Sequence, residues 1–281
     1  MLTADPNASF PDLADLLRFY AEAGVDEPLL EEPVNRFEEQ AAARQAAMAA
    51  VTKTPPKMPA PAAPARPAGT AAPVLPDEEQ AVRARELAAS AQSLDELCEL
   101  LRNFDGCNLK LTAKNLVFAD GNPQPDVMLV GEAPGRDEDI EGLPFVGRSG
   151  RLLDAMLAAI GVSRKTNAYI ANVVPWRPPG NRTPTPLETE ICRPFIERQI
   201  ELARPKILVA LGGPSAKVLL HANEGILRLR GNWKVHRTAS GVDIPTMPTL
   251  HPAYLLRNPA HKKLAWRDLL EVATRLDQMR A

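Results

Sequence analysis

Four short apolar runs mark the C-terminal two-thirds of the chain: VMLVGE (127–132), AYIANVV (168–174), KILVALG (206–212) and IPTMPTLH (244–251). Runs of this length without polar alternation predict strands buried on both faces. Between them the apolar spacing changes to three and four residues. Leu153, Met156, Leu157 and Ile160 share one helical face over 151–160, and Gly161 stands where a helix would stop. Further helices are predicted over 186–203, 214–221 and 261–279, the last with Leu269, Val272, Ala273 and Leu276 in register. Residues 77–103 also read as helical, with Ser93 and Glu96 spaced for a capping box. Strands alternating with helices predict an α/β fold, a three-layer α/β/α sandwich around a central four-stranded, mainly parallel sheet. Such sheets bind ligands beyond the carboxyl ends of their strands. That rule points to Gly131–Glu138, Asn172, Gly212–Ser215 and His251.

Upstream the pattern differs. Leu13, Leu16, Leu17 and Tyr20 predict a short amphipathic helix over 10–22, and an alanine-rich helix is expected from Arg36 to Val51. Residues 54–76 then hold 8 of the chain's 28 prolines. Proline removes backbone donors and fixes φ, so this stretch reads as a semi-extended, flexible linker that reaches on the order of 70 Å. The expected organisation is an N-terminal helical accessory segment (1–53), a Pro/Ala-rich linker (54–76) and one globular domain (77–281). The accessory segment is either dispensable or a docking helix for a protein partner.

The chain has 281 residues, 45% hydrophobic and 24% charged, which suits one sizeable core plus accessory pieces. No apolar run approaches the roughly 18 residues that span a bilayer, and MLTADPNASFPDL lacks the basic start of a secretory signal. Three cysteines are too few for a disulfide framework, so a reduced, cytoplasmic setting is expected. The net charge of −2 conceals an asymmetry. Residues 1–100 carry 8 Lys and Arg against 17 Asp and Glu, whereas residues 101–281 carry 25 against 18. A basic C-terminal portion is compatible with contact to nucleic-acid phosphates.

Three segments carry candidate chemistry. In GEAPGRDEDIEGLPFVGRSG (131–150), Gly131, Pro134 and Gly135 predict a tight turn, with Glu132 and Glu138 placing carboxylates beside it. The segment has neither GxGxxG nor a GK[ST] ending, so it is not a nucleotide-binding signature. In YIANVVPWRPPGNRTPTP (169–186), Asn172 ends a strand and offers both a donor and an acceptor to an amide-bearing ring. In LHPAYLLRNP (250–259), His251 follows the last strand and precedes a loop with Tyr254, Leu255, Leu256 and Arg257. Apolar wedges beside a basic residue suit insertion into a DNA stack.

These segments together resemble the family 4 uracil-DNA glycosylases of the uracil-DNA glycosylase superfamily. The resemblance covers about residues 95–275 and is carried by GEAPGRDE, PFVGRSGRLLD, NVVPWRPPGNR and HPAYLLR, in that order. It implies an enzyme that flips uracil out of DNA, hydrolyses its N-glycosidic bond and acts as a monomer at the nucleoid. By resemblance, Phe145 stacks on the uracil, Asn172 bonds its edge and Glu138 closes the pocket near C5. Glu132 and the backbone of Ala133–Gly135 face the water and the sugar. His251 donates to uracil O2. Leu255 or Leu256 fills the gap left by the flipped nucleotide, while Arg257 and Gly213–Ser215 grip flanking phosphates. Ala133 stands where other branches of the superfamily place an aspartate base. Catalysis is therefore expected to rest on electrostatics and leaving-group stabilisation.

The family ligates a 4Fe–4S cluster through four cysteines. The corresponding positions here are Phe104, Cys107, Trp176 and Cys192, which leaves two of four thiolates, and Cys98 lies too far back to replace one. No cluster is expected, with the space packed hydrophobically instead. This departure keeps open two alternatives: a DNA-binding module of the same fold without catalysis, or a glycosylase for another deaminated base. The branch that crosslinks to its product has a histidine in the loop after the second strand, and PWRPPGNRTPTP has none.

Overall fold

The computed structural model describes residues 77–280. The helices expected over 10–22 and 36–51 and the proline-rich linker lie outside the described residues.

Helices α1 (Asp77–Ser90) and α2 (Leu94–Asn103) open the fold. The predicted capping box at Ser93 forms only in part. The Ser93 hydroxyl accepts from the Glu96 amide at 3.1 Å, but the Glu96 carboxylate turns to the Gln92 amide at 2.8 Å. The rest follows in the order β1 (Ala119–Gly121), β2 (Val127–Gly131), α3 (Arg136–Glu141), α4 (Arg148–Ala158), β3 (Ala168–Asn172), α5 (Pro186–Ala203) and β4 (Ile207–Leu211). It continues through α6 (Gly213–Leu220), α7 (Ile226–Leu229), β5 (Lys234–Arg237), β6 (Asp243–Thr249), α8 (Pro252–Arg257) and α9 (Lys262–Arg280).

The strands form one six-stranded sheet in the order β1-β3-β2-β4-β6-β5. The inner four are mutually parallel and are the four apolar runs of the sequence. Short antiparallel strands extend the sheet at either side, β1 on β3 and β5 on β6, raising the expected count from four to six. Their sequences, ADG and KVHR, are short and polar and carry no strand periodicity. By contrast, every residue of β2, β3 and β4 is buried, as a parallel sheet covered on both faces requires.

Side chains alternate across the sheet with period two. Met128, Val130, Tyr169, Ala171, Leu208 and Ala210 face one way and pack with Ala84 of α1, Leu97 of α2, Phe195 of α5 and Ala216 of α6. Val127, Leu129, Ile170, Ile207, Val209 and Met247 face the other way, against Leu153 and Leu157 of α4 and Val272 and Leu276 of α9. The result is the expected three-layer sandwich. No helix among the described residues is long and apolar enough to cross a membrane.

Phe104, Cys107, Trp176 and Cys192 come together in the first of these cores, each no more than 1% exposed. The Phe104 ring lies 5.2 Å from that of Phe195, and the two thiols are 3.9 Å apart. Trp176 is among the largest fully buried side chains, so Trp176→Ala should destabilise the fold by about 3–5 kcal/mol in chemical denaturation. A loss below 1 kcal/mol would mean that the ring does not fill the core.

Candidate active site

A cavity of about 480 Å³ opens at the carboxyl ends of the parallel strands. Loops following β2, β3, β4 and β6 converge on it, as the topology of a parallel sheet directs. Gly131, the last residue of β2, permits the convergence. A Cβ there would fall 2.4 Å from Asn172 Oδ1 and 2.8 Å from Phe145 Cζ, so only a hydrogen lets the two side chains meet. Gly212, with φ of +93°, gives similar room to His251, whose Cβ would lie 3.1 Å from an added methyl.

The loop between β2 and α4 is folded by Glu138. Its carboxylate accepts from the Gly135, Val146 and Gly147 amides, each at 3.1 Å. Glu138 lines the cavity, but its oxygens are committed to the backbone. The same loop presents Phe145, 4% exposed, with a left-handed φ of 54°. Its ring centroid is 5.4 Å from the His251 ring at an interplanar angle of 30°. Arg164 donates to the carbonyls of Pro144 at 3.1 Å and Phe145 at 3.0 Å. Gly150 allows the Phe145 carbonyl to press against α4, where a Cβ would come within 1.8 Å of that oxygen.

Two buried acceptors in the cavity wall are left without partners among the described residues: Asn172 Oδ1 and Glu132 Oε1. Burial raises the Glu132 carboxyl above its ordinary pKa, with a hydrogen bond from Thr183 partly opposing. Unpaired buried acceptors are costly, and their place in a cavity wall marks them as waiting for a ligand's donors.

His251 caps the N-terminus of α8, its Nδ1 accepting from the Ala253 amide at 3.1 Å. Burial, helped by the positive charge of Arg257, pushes its pKa down to about 4. A neutral imidazole whose Nδ1 accepts carries its proton on Nε2, which makes Nε2–H a donor without net charge.

Of the residues named from sequence, Glu132, Ala133, Gly135, Glu138, Phe145, Asn172, Gly213, His251 and Arg257 all line this cavity. Two are corrected. Ser215 is fully buried, its hydroxyl donating to the Val130 carbonyl at 2.7 Å, so its side chain anchors α6 to the sheet and only the backbone there is left to meet phosphate. The segment after His251 is a helix rather than a loop, and its period turns Leu255 inward against Leu250 and Ala265. Leu256 is the exposed leucine. Arg182 and Thr183, which no sequence pattern singled out, also line the cavity, as does Tyr254 of the segment after His251. Arg182 is held by a two-pronged ion pair to Glu188 at 2.7 and 2.8 Å, which together with the capping box at Thr185 keeps the Glu188 carboxyl at about 2. The proline-rich loop is thereby tied to the start of α5, and the signal available was Thr185, Pro186 and Glu188 in capping-box spacing.

A parallel sheet whose loop tips enclose a polar cavity of this make-up agrees with the match of residues 118–270 to the family model described as the Uracil DNA glycosylase superfamily. The chain belongs to that superfamily. It is 40% identical over 173 residues to the Type-4 uracil-DNA glycosylase of Archaeoglobus fulgidus, covering 60% of this chain and 85% of that one. It is 42% identical over 180 residues to that of Pyrobaculum aerophilum (63% and 91% covered), and 39% over 173 residues to that of Thermotoga maritima (60% and 86%).

The state of His251 gives a pH prediction. Its folded pKa of about 4 lies below the ordinary 6.5, so the neutral form is the one the fold accepts. The associated stability is full above pH 6.5 and is lost as pH falls toward 4. Wild type should therefore lose stability over that window, by on the order of 3 kcal/mol at most. In denaturation curves His251→Gln should show a shallower decline. Equal slopes for both proteins would refute a buried neutral histidine.

Proposed function

We propose that this chain is a DNA repair glycosylase that swings uracil out of DNA and hydrolyses its N-glycosidic bond, leaving an abasic site. The observation that carries the reading is the meeting of Phe145, Asn172 with its unpaired Oδ1, and the neutral His251 in one cavity. The likeness to enzymes named Type-4 uracil-DNA glycosylases supports it.

Uracil offers an N–H at N3 flanked by two carbonyl oxygens. Asn172 Oδ1 is an acceptor for that N–H, and its Nδ2 is a donor for O4. Cytosine presents the opposite pattern and would leave both Asn172 groups misdirected, so uracil is chosen by hydrogen bonding as well as by shape. Phe145 offers its ring face to the base. As the bond from C1′ to N1 breaks, its electron pair passes into the uracil ring and accumulates on N1 and O2, while the sugar becomes cationic. His251 Nε2–H stabilises the anion at O2, and an ionised Glu132 stabilises the cation and orients a water. That water adds to C1′ and gives its proton to Glu132 or to solvent. Glu138 takes no proton in this scheme and holds the loop.

Arg257 and the first turn of α6 at Gly213 face the flanking phosphates, the helix N-terminus offering free amides. Leu256 replaces the extruded nucleotide in the stack. Every group invoked comes from one chain, so the reading needs no second copy. Its substrate assigns it to the nucleoid in the cytoplasm, and a protein partner would be met through the N-terminal segment.

We further propose that the protein holds no iron–sulfur cluster. The donor set supports this: two thiols and two buried aromatic rings do not fit a cluster that takes four ligands. Among the described residues no group of three or more His, Cys, Asp or Glu side chains forms a metal site. Purified protein should be colourless and iron-free, with a Tm unmoved by chelator. Stoichiometric iron with absorbance near 400 nm would overturn this.

Excision from a uracil-containing oligonucleotide, followed by alkaline cleavage, tests the activity itself. Asn172→Ala and His251→Ala should each slow single-turnover excision roughly 10²–10³-fold while remaining folded. Full activity in either variant would move the pocket elsewhere.

A further inference from the structure

We infer that Arg164 is a positioning residue for base recognition: its guanidinium fixes the backbone of Pro144 and Phe145 and so aims the Phe145 ring into the cavity. The inference rests on the reading of Phe145 as the face that stacks on uracil.

Phe145 has φ of 54°, a region that L-residues other than glycine seldom occupy because Cβ crowds the carbonyl. A residue held there relaxes unless its surroundings fix it, and such conformations gather at ligand-binding sites. Two ionisable side chains fix it: Glu138 accepts from the Val146 amide on one side of the peptide, and Arg164 holds the carbonyls on the other. Arg164 Nη1 donates to the Pro144 carbonyl and to Asp120 Oδ2, at 3.1 and 2.7 Å. Nη2 donates to the Phe145 carbonyl at 3.0 Å and lies 2.8 Å from Asp154 Oδ1, while Nε donates to the same oxygen at 2.9 Å. Four of the fork's five donors are thus hydrogen-bonded, and Nη2 is also ion-paired with Asp154. Three of these contacts are made to groups on different elements: Asp120 on β1, Asp154 on α4 and the 144–145 loop.

This arrangement suits positioning better than stabilisation. The Arg164 side chain is 16% exposed, whereas Asp120 and Asp154 are 31% and 50% exposed. The two carboxylates would hydrate readily without it, and ion pairs so placed add little to stability. The carbonyls of Pro144 and Phe145 have no such freedom. The Phe145 oxygen lies against the Gly150 backbone on one side, and its ring lies against Gly131 and Asn172 on the other. Loss of the guanidinium leaves both carbonyls without a donor and the strained residue held from the Val146 amide alone, so that the loop can relax and carry the ring out of register. The short edge strand β1 thereby gains a purpose: it delivers Asp120 to hold the arginine in place.

The test is a double-mutant cycle between Arg164 and Phe145 on a uracil-containing oligonucleotide. Arg164→Ala should lower kcat/KM roughly ten- to a hundred-fold, as misplacement of a recognition group does, and weaken inhibition by free uracil in parallel. In a Phe145→Ala background the same substitution should change kcat/KM less than about threefold, because the group it aims is gone. Arg164→Lys, which can reach one carbonyl, should recover part of the loss. Thermal denaturation confirms which variants are folded at the assay temperature, and Arg164→Lys replaces Arg164→Ala in the cycle should the alanine variant not be. Equal losses in both backgrounds, or unchanged inhibition by free uracil, would overturn the inference while leaving the glycosylase reading intact. Wild-type protein that fails to release uracil would remove both.

Discussion

A hydrogen atom in place of a side chain at the end of β2 sets the geometry of this molecule's cavity. The Asn172 carboxamide and the Phe145 ring both press into the volume a Cβ on Gly131 would occupy. A parallel sheet brings the ends of consecutive strands to one edge, but only about 5 Å apart, too close for three full side chains to face inward together. Gly131 is paired with Asn172 in the ladder between β2 and β3. Removing one of the pair makes room for the other and for a ring reaching in from the following loop.

The backbone around this point is held by charge. Glu138 gathers three amides, Arg164 gathers two carbonyls, and the Arg182–Glu188 pair ties down the loop opposite. These ionised side chains serve the chain rather than the ligand. The groups read as meeting the base are an aromatic ring, a carboxamide and a neutral imidazole, with a carboxyl beside them whose pKa burial raises. Such groups take up an uncharged base and hold the donor at O2 ready for the negative charge that bond cleavage creates, as transition-state stabilisation requires.

Much of this was legible in the chain. The four inner strands announced themselves because burial on both faces demands continuous apolar residues, and their parallel order then fixed where a ligand site had to lie. Nine of the residues named from the loops do line the cavity. What escaped was whatever depends on three-dimensional approach. Edge strands of three and four residues are too short to show a period. Ser215 and Leu255 looked available because nothing in one dimension says which side of a short helix turns inward. Arg164 was invisible because its partners Asp120, Pro144 and Asp154 are scattered over three separate segments. Phe104 and Trp176 were conspicuous in the sequence, and both are buried in one core with Phe195.

The two outer strands also bear on how the protein behaves in a crowded solution. A sheet margin with unpaired amides and carbonyls invites another chain to add itself, and aggregation follows from long, flat, apolar margins. Here one margin is three residues long and the other exposes Lys234 and Arg237. Neither gives an incoming strand enough length or a neutral surface to zip onto, so the sheet is terminated at both sides against growth between molecules.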